Sequence, residues 1–187
     1  MEPTDDDLMA ACAAGDREAF GALYRRRRPD VYRFALHMTG SRAAAEDIAQ
    51  DAFLVVMRNA DRYRTGESGF VPWLLGIARN LIRRHAAQRT METLDEAEEP
   101  GRTDDSLARD EELARLKAAL AALPSRYREA VVLCDLEELP YAEAAQVIGC
   151  AVGTVRSRLH RGRARLAAQL KRGVRHHAGG RVPKWIL

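Results

Sequence analysis

Cysteine is scarce in this chain of 187 residues, and the three present, Cys12, Cys134 and Cys150, stand too far apart for a disulfide framework. None forms a C-x-x-C pair, which removes the usual zinc signature, and the adjacent His176 and His177 lack further ligands at suitable spacing. We therefore expect no metal and no cofactor. No stretch approaches the roughly 18 apolar residues of a membrane span. The opening MEPTDDDLMA is acidic and has no apolar signal core behind it, so the expectation is a soluble cytoplasmic protein without membrane contact. There is no glycine-rich phosphate loop and no internal repeat. Nor does Cys12, Cys134 or His85 sit beside a partner in a recognisable nucleophile motif, which argues against an enzyme. Aromatic residues make up only 6%, a composition suited to small helical bundles.

Net charge is also small, +3, but the charges are segregated. Between residues 91 and 112 lie Glu92, Asp95, Glu96, Glu98, Glu99, Asp104, Asp105, Asp110, Glu111 and Glu112, opposed only by Arg102 and Arg109. With Pro100 and Gly101 at its centre, such a run cannot bury enough apolar surface to order itself, and reads as a flexible acidic linker. We place a domain boundary there and expect an all-α protein of two small helical domains. The domains would span residues 8–90 and 109–172, with the linker at 91–108 and a basic tail at 173–187. That tail, ending in Trp185, Ile186 and Leu187, reads as a disordered end, an apolar plug being the alternative.

What the chain does have is concentrated in Leu139 to Arg165, LPYAEAAQVIGCAVGTVRSRLHRGRAR. Pro140 and Glu143 suit the start of a helix and Gly149 its end, with Ala144, Ala145, Val147 and Ile148 on the buried side. Beyond the turn, Val155, Leu159, Gly162 and Leu166 recur at i, i+4, i+7 and i+11, one stripe of a second helix. The opposite face carries Gly153, Ser157, His160, Arg161 and Ala164, flanked by Arg156, Arg158, Arg163 and Arg165. An arginine fork can pair bidentately with guanine while its neighbours neutralise phosphates, so this reads as a helix-turn-helix for duplex DNA. The candidate contacts are Thr154, Arg156, Ser157, Arg158, His160, Arg161 and Arg165, with Arg156 and Arg161 best placed to read bases. A solvated basic helix is the bland alternative. It is disfavoured because no acidic residue follows Glu143.

The N-terminal part is helical throughout. Asp16 caps a helix with Phe20, Leu23 and Tyr24 on one side, Pro29 interrupts it, and Val31, Phe34, Ala35 and Met38 resume the spacing up to Gly40-Ser41. In the next helix Ala45, Ile48, Ala49, Ala52, Phe53 and Val56 form a core stripe. Asp47, Gln50, Asp51, Leu54 and Arg58 line the other face, where an apolar residue among carboxylates suits docking on a basic protein, although single exposed leucines are common. A glycine-punctuated loop, YRTGESGFV at residues 63–71, precedes a helix from Pro72 to about residue 87. Leu74, Ile77, Leu81 and His85 would face inward, and Gly76, Arg79, Asn80, Arg83, Arg84 and Ala87 outward. Aromatic loop plus basic helix suits single-stranded DNA, with Tyr63, Phe70, Arg79, Asn80, Arg83 and Arg84 as contacts. The competing reading makes Phe70 and Trp73 core residues capping the bundle, and Trp73 fits that better.

Taken in order, VYRFALHMTG, AAEDIAQDAFLVV, YRTGESGFVPWLLGIARNL, LAALPSRYREAVVL and LPYAEAAQVIGCAVGTVRSRLHRGRARL resemble the extracytoplasmic-function (ECF) sigma factors of bacterial RNA polymerase over nearly the whole chain. The resemblance implies promoter-specific transcription initiation. It implies core RNA polymerase and promoter DNA as partners, with an anti-sigma factor as a candidate partner. The segment like AEDIAQDAFLVV would dock on the largest polymerase subunit through Asp47, Gln50, Asp51 and Leu54. The YRTGESGFVPWLLGIARNL segment would melt and capture the −10 element, and the helix-turn-helix would read the −35 element. The acidic linker would thread the positively lined RNA exit path. Two departures stand out. Arg83, Arg84 and His85 follow the ARNL motif where relatives often have an aspartate, and His160 occupies a variable position. A stand-alone helix-turn-helix repressor or activator is the alternative, but it would have no use for the acidic face and the aromatic loop.

Overall fold

The computed structural model describes residues 2–64, 69–92 and 109–174, and these form helices with no strand among them. The acidic segment at 93–108, the loop residues 65–68 and the tail from 175 onward, with His176, His177 and Trp185, lie outside the described residues.

The N-terminal lobe is α1 (Asp5–Ala13), α2 (Arg17–Thr39), α3 (Arg42–Arg58) and α4 (Phe70–Glu92). Each start has a chemical cause. The Thr4 hydroxyl accepts from the Asp7 amide at 3.2 Å while the Asp7 carboxylate accepts from the Thr4 amide at 2.9 Å, a reciprocal capping box. Asp16 accepts from the amides of Glu18 and Ala19 at 2.8 and 3.1 Å, as expected of a cap. α2 ends where Gly40 turns left-handed (φ 72°), and Ser41 caps α3. Arg26 and Arg27 both reach Asp5, tying α1 to α2.

Three expectations need correction here. Pro29 does not interrupt: α2 runs unbroken from Arg17 to Thr39 with Pro29 inside it. A proline removes one backbone hydrogen bond and crowds the preceding turn. Pro29 is exposed, while Leu23 before it and Val31, Phe34 and Ala35 after it are all buried against the rest of the lobe, so tertiary packing holds both halves on one axis. α4 starts two residues earlier than expected, at Phe70, leaving Pro72 in the first turn where a missing N–H costs nothing. Beyond its first turn, where Phe70 and Pro72 are buried, its buried residues are Leu74, Leu75, Ala78 and Ile82, a stripe displaced from the expected Leu74, Ile77, Leu81 and His85, the last three of which are half-buried.

The C-terminal lobe is α5 (Arg109–Ala121), α6 (Ser125–Val131), α7 (Tyr141–Ile148) and α8 (Val152–Val174). A π-helical turn over Val132–Leu136 follows α6, closed by the Glu137 amide on the Val132 carbonyl at 2.9 Å. The two lobes touch: α4 packs on α7, and α2 meets α5, α6 and the π-turn. Polar contacts among the described residues cross this seam. Arg79 pairs with Glu129, Arg33 with Glu137 at 3.1 Å, and the Arg128 guanidinium donates to the Met38 carbonyl at 2.7 Å.

Candidate nucleic-acid and protein interfaces

The helix-turn-helix is built as its residues require. Ala144, Ala145, Val147 and Ile148 of α7 are buried with Val155, Leu159 and Leu166 of α8, and Gly162 is buried on the same stripe. Gly149 closes α7 in the left-handed region (φ 71°), its amide on the Ala145 carbonyl at 2.9 Å and the Cys150 amide on the same carbonyl at 3.0 Å. The three residues 149–151 then turn the chain into α8. This packing leaves Arg156, Ser157, His160, Arg161 and Arg165 exposed, with Thr154 and Arg158 half-buried at the edge. Arg156 lies 5.9 Å from the Tyr141 ring centroid, and Ser157 donates to the Thr154 carbonyl at 3.1 Å. Arg163, one of the flanking arginines, is instead held by Asp135 of the π-turn, Nε to Oδ2 3.0 Å.

On α3 the buried set is the expected one plus Ala44. Asp47, Gln50, Asp51 and Leu54 share the exposed face, with Leu54 37% exposed. Sequence reasoning missed Met57, which is 53% exposed and lies three residues beyond Leu54, one turn along the same face. Its signal was available in that spacing.

The N-terminal basic surface is less uniform than expected. Asn80, Arg83 and Arg84 are exposed at i, i+3 and i+4 of α4. Arg79 is not free, because its guanidinium is engaged by the buried Glu129 of the other lobe. A cleft of about 410 Å³ opens beside it, between Trp73, Gly76 and Asn80 of α4 and Gln146 and Val147 of α7. Phe70 is inside the lobe rather than on its surface, only 3% exposed. Tyr63, Phe70 and Trp73 form one aromatic cluster, with ring centroids 5.8, 5.1 and 6.0 Å apart. The Tyr63 hydroxyl donates to Asp6 of α1, and burial first, then that carboxylate, pushes the phenol well above its ordinary pKa. In this conformation the three rings stabilise the lobe through edge and tilted contacts.

Among the described residues no group of three or more His, Cys, Asp or Glu is placed to hold a metal ion, and no helix is long and apolar enough to cross a membrane.

An all-helical chain with an arginine-faced helix-turn-helix in one lobe and an acidic, partly apolar helix face in the other has the makeup of a DNA-binding transcription protein. Comparison with known proteins narrows this. Residues 23–91 match the family described as Sigma-70 region 2, and residues 113–166 match Sigma-70, region 4. The chain is 40% identical over 182 residues to the ECF RNA polymerase sigma factor SigE of Mycolicibacterium smegmatis, covering 89% of this chain and 69% of that one. It is 36% identical over 173 residues to SigM of Mycobacterium tuberculosis, covering 90% and 86%. Among solved structures it is similar to CnrH in complex with the cytosolic domain of CnrY (TM-score 0.71, 28% identity, 90% of this chain and 97% of that one). It is also similar to the sigma factor RpoE in complex with the anti-sigma factor NepR from Bartonella quintana (TM-score 0.68, 29% identity, 81% and 96%). The chain belongs to the ECF sigma factors of RNA polymerase. As such it binds core RNA polymerase and promoter DNA and directs promoter-specific transcription initiation.

Proposed function

We propose that the two lobes divide that work between named surfaces. The face of α3 carrying Asp47, Gln50, Asp51 and Leu54 docks on core polymerase. α4, through Arg79, Asn80, Arg83 and Arg84 with Tyr63 and Phe70 at its entrance, takes the −10 element as an opened strand. α8 reads the −35 element as duplex through Thr154, Arg156, Ser157, Arg158, His160, Arg161 and Arg165. Region 2 then corresponds to residues 8–90 and region 4 to 109–172, joined by the acidic linker 91–108 and followed by the tail 173–187. For Phe70 to meet a base, the aromatic cluster has to open on promoter binding.

The observation that carries this reading is the division of α8 into a stripe buried on α7 and an exposed face holding Arg156 and Arg161. A major-groove helix needs that division, with arginine forks free of the protein's own core. The role is binding and positioning rather than catalysis, and it is exercised in the cytoplasm, where core polymerase and promoter DNA are found. An anti-sigma partner is supported by the similarity to CnrH and to RpoE, whose structures were solved as complexes with CnrY and NepR.

Run-off transcription from a genomic fragment library with purified core polymerase tests the assignment. The wild type should start transcripts at a discrete promoter set, Asp51→Arg should lose core binding, and Arg156→Ala with Arg161→Ala should lose dependence on the −35 element. Specific binding of duplexes by the protein alone, with no initiation by protein plus core, would instead favour a stand-alone regulator.

A further inference from the structure

Tyr141 is the first residue of α7. Pro140 before it is extended (φ −52°, ψ 145°), and its carbonyl accepts the first hydrogen bond of the helix from the Ala144 amide at 2.9 Å. At i, i+4 and i+7, Tyr141 continues the line of Ala145 and Ile148, both buried. At the end of that line its side chain passes beyond the core and stays 38% exposed. What it meets there is Arg156, whose guanidinium carbon lies over the ring, 5.9 Å from its centroid. Arg156 stands in the second turn of α8, on the exposed face, and the N-terminal residues of a recognition helix are the ones that reach base edges.

The kind of support Arg156 receives has a consequence for DNA. Arg163, seven residues along the same side of α8, is forked on the Asp135 carboxylate, Nε to Oδ2 3.0 Å, which offsets its charge. Arg156 rests instead against a neutral ring. A guanidinium over an aromatic face is attracted by the ring without being neutralised, and its N–H fork stays available for a bidentate contact. A long side chain that is already held against a ring also gives up less rotamer freedom when it docks. Attraction to the duplex therefore survives, and the cost of ordering Arg156 falls.

We propose that Tyr141 is a positioning residue for −35 recognition, its ring presetting Arg156 for contact with a base edge. The inference rests on the reading of α8 given above, and its test separates the two. Holoenzyme is assembled from the full-length chain and core polymerase. It is offered the promoter fragment giving the strongest run-off transcript, with a library of the same fragment randomised over the upstream −35 base pairs. The wild type, Tyr141→Phe, Tyr141→Leu, Arg156→Ala and the double variant Tyr141→Leu with Arg156→Ala are compared. Leucine keeps an apolar side chain at this exposed helix start and removes the π face, whereas phenylalanine keeps that face and removes only the hydroxyl. Selectivity of Tyr141→Leu should fall about two- to fivefold at the base pairs that Arg156→Ala also affects, and nowhere else. Tyr141→Phe should retain the wild-type profile. The double variant should be no worse than Arg156→Ala alone, since the ring acts through that arginine. An unchanged profile for Tyr141→Leu, a uniform loss at all positions, or additive losses in the double variant would overturn the inference while leaving the α8 reading standing. So would a loss in Tyr141→Phe equal to that in Tyr141→Leu, which would make the hydroxyl a DNA contact of its own. An Arg156→Ala profile that keeps the wild-type preference at every base pair would bring down both.

Discussion

Arg79 of α4 gives its guanidinium to Glu129 of α6, an ion pair that spans the seam between the lobes with both side chains largely out of solvent, 17% and 9% exposed. Nε and one Nη face the two carboxylate oxygens, so the pairing is a fork. One of the proposed −10 contacts is thus occupied by the −35 lobe, and using it on a promoter requires Glu129 to release it.

Replacing Glu129 by Gln should weaken the seam. The amide can still accept one hydrogen bond, but Arg79 loses its counter-charge in a partly desolvated place. A loss of about 1–3 kcal/mol is expected. Urea denaturation of the full chain followed by circular dichroism gives the number. A variant as stable as wild type would mean that Arg79 is equally well hydrated once released, and that the pair contributes no net stability.

The crossing of α6 and α8 makes a sharper prediction. Gly162→Ala places a methyl 2.7 Å from Val131 Cγ2 and 3.2 Å from the Tyr127 carbonyl oxygen, inside contact distance of a side chain and a backbone atom that are both buried. Overpacking of this kind costs about 1–3 kcal/mol, more than the few tenths to 1 kcal/mol that alanine returns through helix propensity. Thermal melting should show a lower midpoint for Gly162→Ala, and Val131→Ala in the same chain should recover part of it. Recovery is the decisive arm, since a loss unrelated to the clash would add to that of Val131→Ala.

Much of this was legible in one dimension. The α8 stripe of Val155, Leu159, Gly162 and Leu166, the α3 stripe from Ala45 to Val56, and the stop at Gly149 follow from helical period and cap chemistry, which act within a few residues. What escaped notice depends on residues far apart in the chain. Pro29 stays helical because the packing of Val31, Phe34 and Ala35 outweighs one lost hydrogen bond. The buried face of α4 is displaced because α4 is covered from two sides, by its own lobe and by α7, and a single period cannot encode two contacts. Glu129 is 50 residues from Arg79, and Arg165 is 38 residues from the Tyr127 ring it lies beside, so neither pairing has a local signature. Phe70 and Trp73 were ambiguous because an aromatic beside a glycine-rich loop suits stacking on a base or on another ring equally well.

His37 supplies a pH dependence. Burial, followed by Arg33 and Lys117 nearby, holds its pKa below the ordinary 6.5. The folded state therefore binds the proton less readily than the unfolded chain. The stabilising contribution of neutral His37 is complete above about pH 6.5 and is lost as pH falls from there toward the depressed folded value. The sign follows from burial, which disfavours the charged imidazolium, reinforced by two nearby cations. The melting temperature should drop between about pH 7.5 and about pH 5.5, and His37→Gln should reduce that drop. An equal drop in the variant would assign the effect to other groups.

The thiols should differ in reactivity. Burial, reinforced by the adjacent Asp135 and opposed by Arg163, pushes the Cys134 pKa up to about 11. At about pH 8 only roughly one molecule in a thousand then carries the reactive thiolate. In a time course of alkylation read by mass spectrometry, Cys134 should be modified last and should catch up when the chain is denatured. Early modification of Cys134 in the native protein would show that α6 and its π-turn open readily.

The face of α3 carries the prediction most specific to a polymerase subunit. Leu54 and Met57 are large apolar side chains left 37% and 53% exposed, one turn apart, with Asp47 and Asp51 on the same side. Each is unremarkable alone, but a pair framed by carboxylates presents both an apolar anchor and a charge pattern that favours a basic partner. Asp51→Arg reverses one charge without touching the core, since Ala52 and Phe53 beside it, not Asp51, are buried. Binding to core polymerase should weaken by about 10- to 100-fold, and Met57→Ala should cost about three- to tenfold. Neither should move the melting temperature. Fluorescence titration of labelled protein with core enzyme measures both. If Asp51→Arg binds as tightly as wild type, the docking face lies elsewhere; if Met57→Ala alone has no effect, the contact ends at Leu54 and the apolar patch beyond it is merely exposed.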